Sequence, residues 1–119
     1  MFAAARHSRE AEDYYRHYKE ENADWGAVNN LMTLQGLHAQ SFPAEALKTM
    51  RSRFAAGHGT YPLVGDPDTI AREMARIPEA GFAGTTLSFV DYVREFPFFR
   101  DEVIPRLERM GLRAPNRPD

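Results

Sequence analysis

Asp13, His17 and Glu21 recur every four residues, a spacing that sets two carboxylates and an imidazole on one helical face. Such a face could hold a divalent metal, because imidazole and carboxylate are ordinary ligands. The plainer reading is an exposed charged face with modest pairing, and no metal is expected there. His58 stands between two glycines and close to Tyr61, in a segment able to close over a pocket. It is the candidate for a catalytic role, set against the commoner fate of a loop histidine, which is solvation. Asp66-Pro67 opens a helix whose free amides and dipole could meet an anion. Asp66 carries its own negative charge, however, and reads first as a self-sufficient cap. No glycine-rich phosphate loop, nucleophile elbow or histidine–carboxylate metal motif occurs.

Those residues have to be positioned by a chain of 119 residues, enough for one hydrophobic core. An apolar content of 43% with 12% aromatics fits a globular fold and argues against disorder. A net charge of -2 offers no electrostatic footprint for nucleic acid. With no cysteine, disulfides, thiolate catalysis and cysteine-ligated metals are excluded together. No apolar run approaches the ~20 residues of a membrane helix, and Met1 to Arg6 is too short for a signal peptide. A soluble, cytoplasmic protein without a membrane partner is the expectation.

The periodicities imply an ordered series of elements. Met1 to Ala5 is a short apolar run, read as a strand or the lead of a helix. Ser8 is expected to cap a helix with Glu10 and Glu12 in its first turn, where the dipole favours acids. Ala11, Tyr14, Tyr15, Tyr18 and Trp25 follow at helical spacing as an inward aromatic face. A second helical pattern carries Val28, Leu31 and Met32, with Gly36 a weak point before Leu37. Ser41-Phe42-Pro43 opens a third, through Leu47, Met50 and Phe54, which Gly57-His58-Gly59 ends. Tyr61 to Val64 reads as a short strand limited by Pro62. Asp66-Pro67 starts a helix with Ile70, Met74 and Ile77 buried, interrupted by Pro78 and closed by Gly81. Thr85 to Val90 reads as a strand buried on both faces. The last helix is expected from about Pro97, with Phe99, Val103, Leu107 and Met110 inward and a bend at Pro105. Residues 8–57 thus form a helical part, 60–111 a βαβα part, and 114–119 a disordered tail.

The run Gly59-Thr-Tyr-Pro-Leu-Val-Gly-Asp-Pro-Asp68, then Glu79-Ala-Gly-Phe82, Leu87-Ser-Phe89 and Glu102-Val-Ile-Pro-Arg-Leu-Glu108, resembles the C-terminal end of bacterial-luciferase-like flavin-dependent monooxygenases. Glu10 to Tyr18 and Ala23-Asp-Trp25 resemble the segment before it. The branch with the pyrimidine and dimethyl sulfide monooxygenases looks nearest. The similarity spans about residues 1–113 and rests on the ordered series, since no single motif in it is diagnostic.

The resemblance implies an α/β fold, a partial (β/α)8 TIM barrel of about the last three βα units with a helical insertion. A whole barrel typically needs ~250 residues. Met1 to Ala5 would be its sixth strand, Tyr61 to Val64 its seventh and Thr85 to Phe89 its eighth, with residues 25–59 the insertion. A start inside a strand is what a truncated reading frame, a split gene or an expressed fragment would show. The implied chemistry is oxygen insertion from O2 into a small organic substrate, carried by reduced flavin mononucleotide (FMN), with the protein supplying binding and a dry pocket. The family's flavin-gripping motifs lie upstream of this segment and none is carried over, so tight flavin binding by this chain alone is not expected.

Barrel sites form at the C-terminal ends of strands, which singles out Gly65, Asp66, Ser88, Phe89 and Asp91 as rim residues. Trp25 and the tyrosines could stack on a flavin, but aromatic stripes at helical spacing usually form core. Phe96, Phe98 and Phe99 read as packing, or as an exposed interface on an incomplete barrel. Two open sheet edges would favour a homo-oligomer or a complementing N-terminal barrel portion. The alternatives are a non-catalytic α/β binding or assembly module, and the end of another phosphate-binding barrel.

Overall fold

The N-terminal apolar run forms strand β1, Phe2–Ala4; Met1 lies outside residues 2–115, which the computed structural model describes. Helix α1 follows over Ser8–Arg16 and widens into a π-helical turn, His17–Glu21. Helices α2 (Trp25–Leu34) and α3 (Ala44–Gly57) come next. Strand β2 (Leu63–Gly65) leads into α4 (Pro67–Glu79). The chain closes with α5 (Tyr92–Phe98), a second π turn (Phe99–Val103) and α6 (Ile104–Arg109). The fold is mixed α/β, and among the described residues its sheet is β1 and β2 alone. They run parallel, with Phe2 opposite Leu63, Ala3 opposite Val64 and Ala4 opposite Gly65. Parallel partners need a long connection, which the helices between them supply.

Contacts divide the chain into two units, one of residues 2–12 with Leu63 onward, the other Asp13–Pro62. The first unit holds the larger core. Phe2, Ile70 and Val103 are fully buried there, joined by Leu63, Ala71, Phe89, Phe99 and Leu107. The Phe2 ring meets Phe89 at 4.9 Å and Phe99 at 5.3 Å, both edge-on, the arrangement that ring quadrupoles favour. Alternation in β1 and the Ile70–Met74 stripe of α4 send these side chains to a common interior.

In the 13–62 unit the buried side chains are Val28, Met32 and Ala56. Asp24 caps α2 by accepting from the Ala27 amide at 2.9 Å. The Arg51 guanidinium lies 4.2 Å over the Trp25 ring and donates to Asn29 at 3.0 Å, pinning α3 to α2. Tyr14 and Tyr15 both meet Tyr18 edge-on, so the tyrosine stripe packs upon itself.

The structure corrects three expectations. Ser8 is not the cap of α1: the Ala11 amide donates to His7 O, and the Ser8 hydroxyl turns to Asp66 instead. Thr85 to Val90 is not a strand. Residues 81–86 are exposed, and the Val90 and Asp91 amides, which a ladder would use, donate to the Glu95 carboxylate. A ladder-like bond joins this stretch to β1, Phe2 N–H to Ser88 O at 3.0 Å. The last helical region starts at Tyr92 rather than Pro97, because Asp91 accepts from the Val93 and Arg94 amides. The turn that ends α3 falls at Gly57-His58-Gly59 as expected, with His58 at φ 56 between Gly57 at φ 153 and Gly59 at φ 77. The bend expected at Pro105 takes the form of the π turn before it, where the Ile104 amide reaches back to Phe99 O. Of the tail, Ala114 and Pro115 are exposed without regular structure, and residues 116–119 lie outside the described residues.

Candidate functional site

β1 and β2 end side by side, and the chain leaves each of them into a helix. α1 begins four residues after Ala4, and α4 begins two residues after Gly65. The Ser8 hydroxyl donates to Asp66 Oδ2 at 2.5 Å, and the Asp66 amide donates back to Ser8 Oγ at 3.3 Å. The other carboxylate oxygen accepts from the Thr69 amide at 2.8 Å, capping α4. These donors hold the Asp66 carboxyl down to about 2, chiefly through Ser8 and then through the Thr69 amide. Asp66 is therefore a fixed anion at neutral pH.

Gly65 makes this closure possible. Its φ is +143, a region that favours glycine, and a Cβ there would come within 2.8 Å of Thr69 Cγ2 and 3.7 Å of Ser8 Oγ. The first turn of α4 consequently sits directly on the strand end.

The remaining candidates separate. Ser88 is half-buried and gives its carbonyl to Phe2. Phe89, expected at the rim, is 8% exposed and packs edge-on among Phe2, Tyr92, Phe96 and Phe99, so its ring is core. Asp91 is occupied as the α5 cap. Phe99 is buried and Phe98 half-buried, whereas Phe96 is 46% exposed. His58 belongs to the 13–62 unit, is exposed, and lies 5.4 Å from the Phe54 ring. Its backbone is the α3 terminator, with its amide donating to Phe54 O and the Gly59 amide to Arg53 O.

Asp13, His17 and Glu21 are all exposed. His17 Nδ1 sits 2.7 Å from Glu21, and Asp13 pairs instead with Arg16 at 2.7 Å. Among the described residues no cluster of three metal-ligating side chains gathers.

Asp66 also decides whether this rim suits the phosphate of FMN. The Thr69 amide that a phosphate would seek is met by a carboxylate that stays charged, so a second anion there would be repelled. The residues at this strand end do not fit that group, and no catalytic step is built on them. Sequence reasoning found Asp66 and Gly65 but missed Ser8 as their partner, since nothing in linear spacing announces a bond across 58 residues. It also missed Asp91 as a cap, although an acid with Glu95 four residues on is a legible helix start. Comparison with known proteins finds no family model, no curated protein and no solved structure that matches the chain.

Proposed function

We propose that the chain is the C-terminal portion of a luciferase-like flavin-dependent monooxygenase, a partial (β/α)8 barrel that is inactive alone. In the complete enzyme reduced FMN would supply the oxygen-activating chemistry, acting on a small organic substrate. The observation that carries the reading is the parallel β1–β2 register, with a helix leaving the C-terminal end of each strand. The chain's part is structural. It supplies two staves of the sheet, the helices that follow them, and the Ser8–Asp66 tie that fixes both strand ends. The flavin seat and the substrate-selecting residues lie on a complementing N-terminal barrel portion, and the absence of cysteine suits a cytoplasmic setting. Alone, the chain keeps an open edge on β2 and exposed Val90, Tyr92, Val93 and Phe96, which favours a homo-oligomer.

A second reading, a non-catalytic α/β binding or assembly module, draws on the Phe2–Ser88 bond. Consecutive barrel strands would set the third beside the second, whereas this bond sets it beside the first. The coding sequence immediately upstream of Met1 separates the two. An in-frame extension encoding further βα units, or an adjacent gene encoding them, supports the monooxygenase reading. A stop codon with no such neighbour overturns it in favour of the module.

A further inference from the structure

Within the 13–62 unit, Tyr15, Glu45, Lys48, Thr49, Ser52, Arg53 and Pro62 line an open cleft of about 310 Å³. Among the described residues its two cations engage in no ion pair, a property shared with Arg72 and Arg109 elsewhere on the surface. Arg16, Arg76, Arg94, Arg100 and Arg106 each hold a carboxylate. Among the described residues Lys48 and Arg53 hold none, and the Thr49 and Ser52 hydroxyls make no hydrogen bond. Two cations and two hydroxyls without a side-chain partner among the described residues thus line one concavity, together with Tyr15. Burial raises the Tyr15 pKa above its ordinary value despite the nearby Arg53 charge, so the phenol stays a neutral donor at physiological pH.

Helix geometry says how the charges are spread. Lys48 and Arg53 lie five residues apart on α3, roughly 7.5 Å along its axis at 1.5 Å per residue. That separation suits two anionic groups better than one. The guanidinium offers a planar fork for a carboxylate, and the ammonium a point charge for a second. The cleft volume is at the small end for ligand sites. Glu45, on the same stripe, opposes the cations and limits affinity.

We propose that this cleft binds a small dicarboxylate, with one carboxylate on Arg53, the other on Lys48, and Thr49, Ser52 and Tyr15 donating to their free oxygens. The proposal concerns this unit alone and does not depend on the monooxygenase reading.

Succinate titrated into the full chain, followed by amide chemical shifts, tests it. The expected result is saturable binding with shifts centred on residues 45–53, and butyrate about tenfold weaker or worse. Lys48→Met and Arg53→Met each weaken succinate about tenfold, while Glu45→Gln tightens it a few-fold by removing the opposing charge. These side chains are surface groups, and an unchanged amide spectrum before titration reports that each variant is folded. No saturation by about 50 mM succinate, equal binding of butyrate, or affinity indifferent to all three substitutions overturns the proposal.

Discussion

Ser8 and Asp66 hold each other by two hydrogen bonds across 58 residues of chain, hydroxyl to carboxylate at 2.5 Å and amide to hydroxyl at 3.3 Å. The pair joins the start of α1 to the cap of α4 just where the two parallel strands end. Ser8→Ala and Asp66→Asn should each destabilise the chain by about 1 kcal/mol, the usual worth of a cap or a partnered hydroxyl. Because the two side chains share the hydroxyl–carboxylate bond, the double variant should cost less than the sum, by an interaction of about 0.5–1 kcal/mol. Urea denaturation of the four proteins measures this, and strict additivity would deny the pair its role.

The same pair has a pH signature. The Asp66 carboxyl lies at about 2 in the folded chain, below the ordinary unfolded value of about 3.9. A depressed carboxyl adds stability that is fully present above its unfolded value and is lost as pH falls through the folded one. The stability gap between the parent and Asp66→Asn should therefore be constant above about pH 5 and shrink between about pH 4 and pH 2. Urea midpoints across that window report it; a constant gap would show that the bonds do not favour the charged form.

Gly65→Ala should cost about 1–3 kcal/mol, from the φ of +143 and from the 2.8 Å approach of the new Cβ to Thr69 Cγ2. Thr69→Ser removes that methyl. In the double variant part of the loss should return, leaving the backbone share. Thermal unfolding of the three variants separates the two contributions.

Phe89 distinguishes a core ring from a rim ring. With its edge-on contacts to Phe2 and Phe99, Phe89→Ala should destabilise by about 3–5 kcal/mol. A loss below about 1 kcal/mol in denaturant would mean the ring is not part of the core.

The way these residues were legible differs with the physics behind each. Asp66-Pro67 announces a helix start because capping is local, and the structure places Asp66 on the Thr69 amide as that chemistry requires. The Ile70–Met74 stripe of α4 and the apolar run in β1 were readable for the same reason, as periodicity reports burial within one element. Thr85 to Val90 carries strand-forming residues, yet strand formation depends on neighbours, and Glu95 takes amides a ladder would use. The end of α3 is legible for a local reason too: Gly57 and Gly59 take positive φ as expected, and His58 between them joins at φ 56. Ser8 reads as a cap because it precedes acids, but its oxygen accepts from the Asp66 amide, distant in sequence, and its hydroxyl donates to the Asp66 carboxylate. The cleft on α3 was invisible for a related reason. It arises where Tyr15 and Pro62, 47 residues apart in number, line one hollow with α3.

The unequal cores imply unequal protection. Amide hydrogen exchange should be slowest at Phe2, Leu63, Ile70 and Val103, and faster throughout α2 and α3, whose buried side chains are Val28, Met32 and Ala56. Equal protection of α2, α3 and α4 would contradict this division.

On the function proposed above, this chain would furnish strands and helices of a barrel whose cofactor seat lies elsewhere. Titrating the isolated chain with FMN while following flavin fluorescence tests it most directly. The account expects no saturable change up to about 1 mM, whereas a dissociation constant in the low micromolar range, on the order of -7 to -8 kcal/mol, would contradict it.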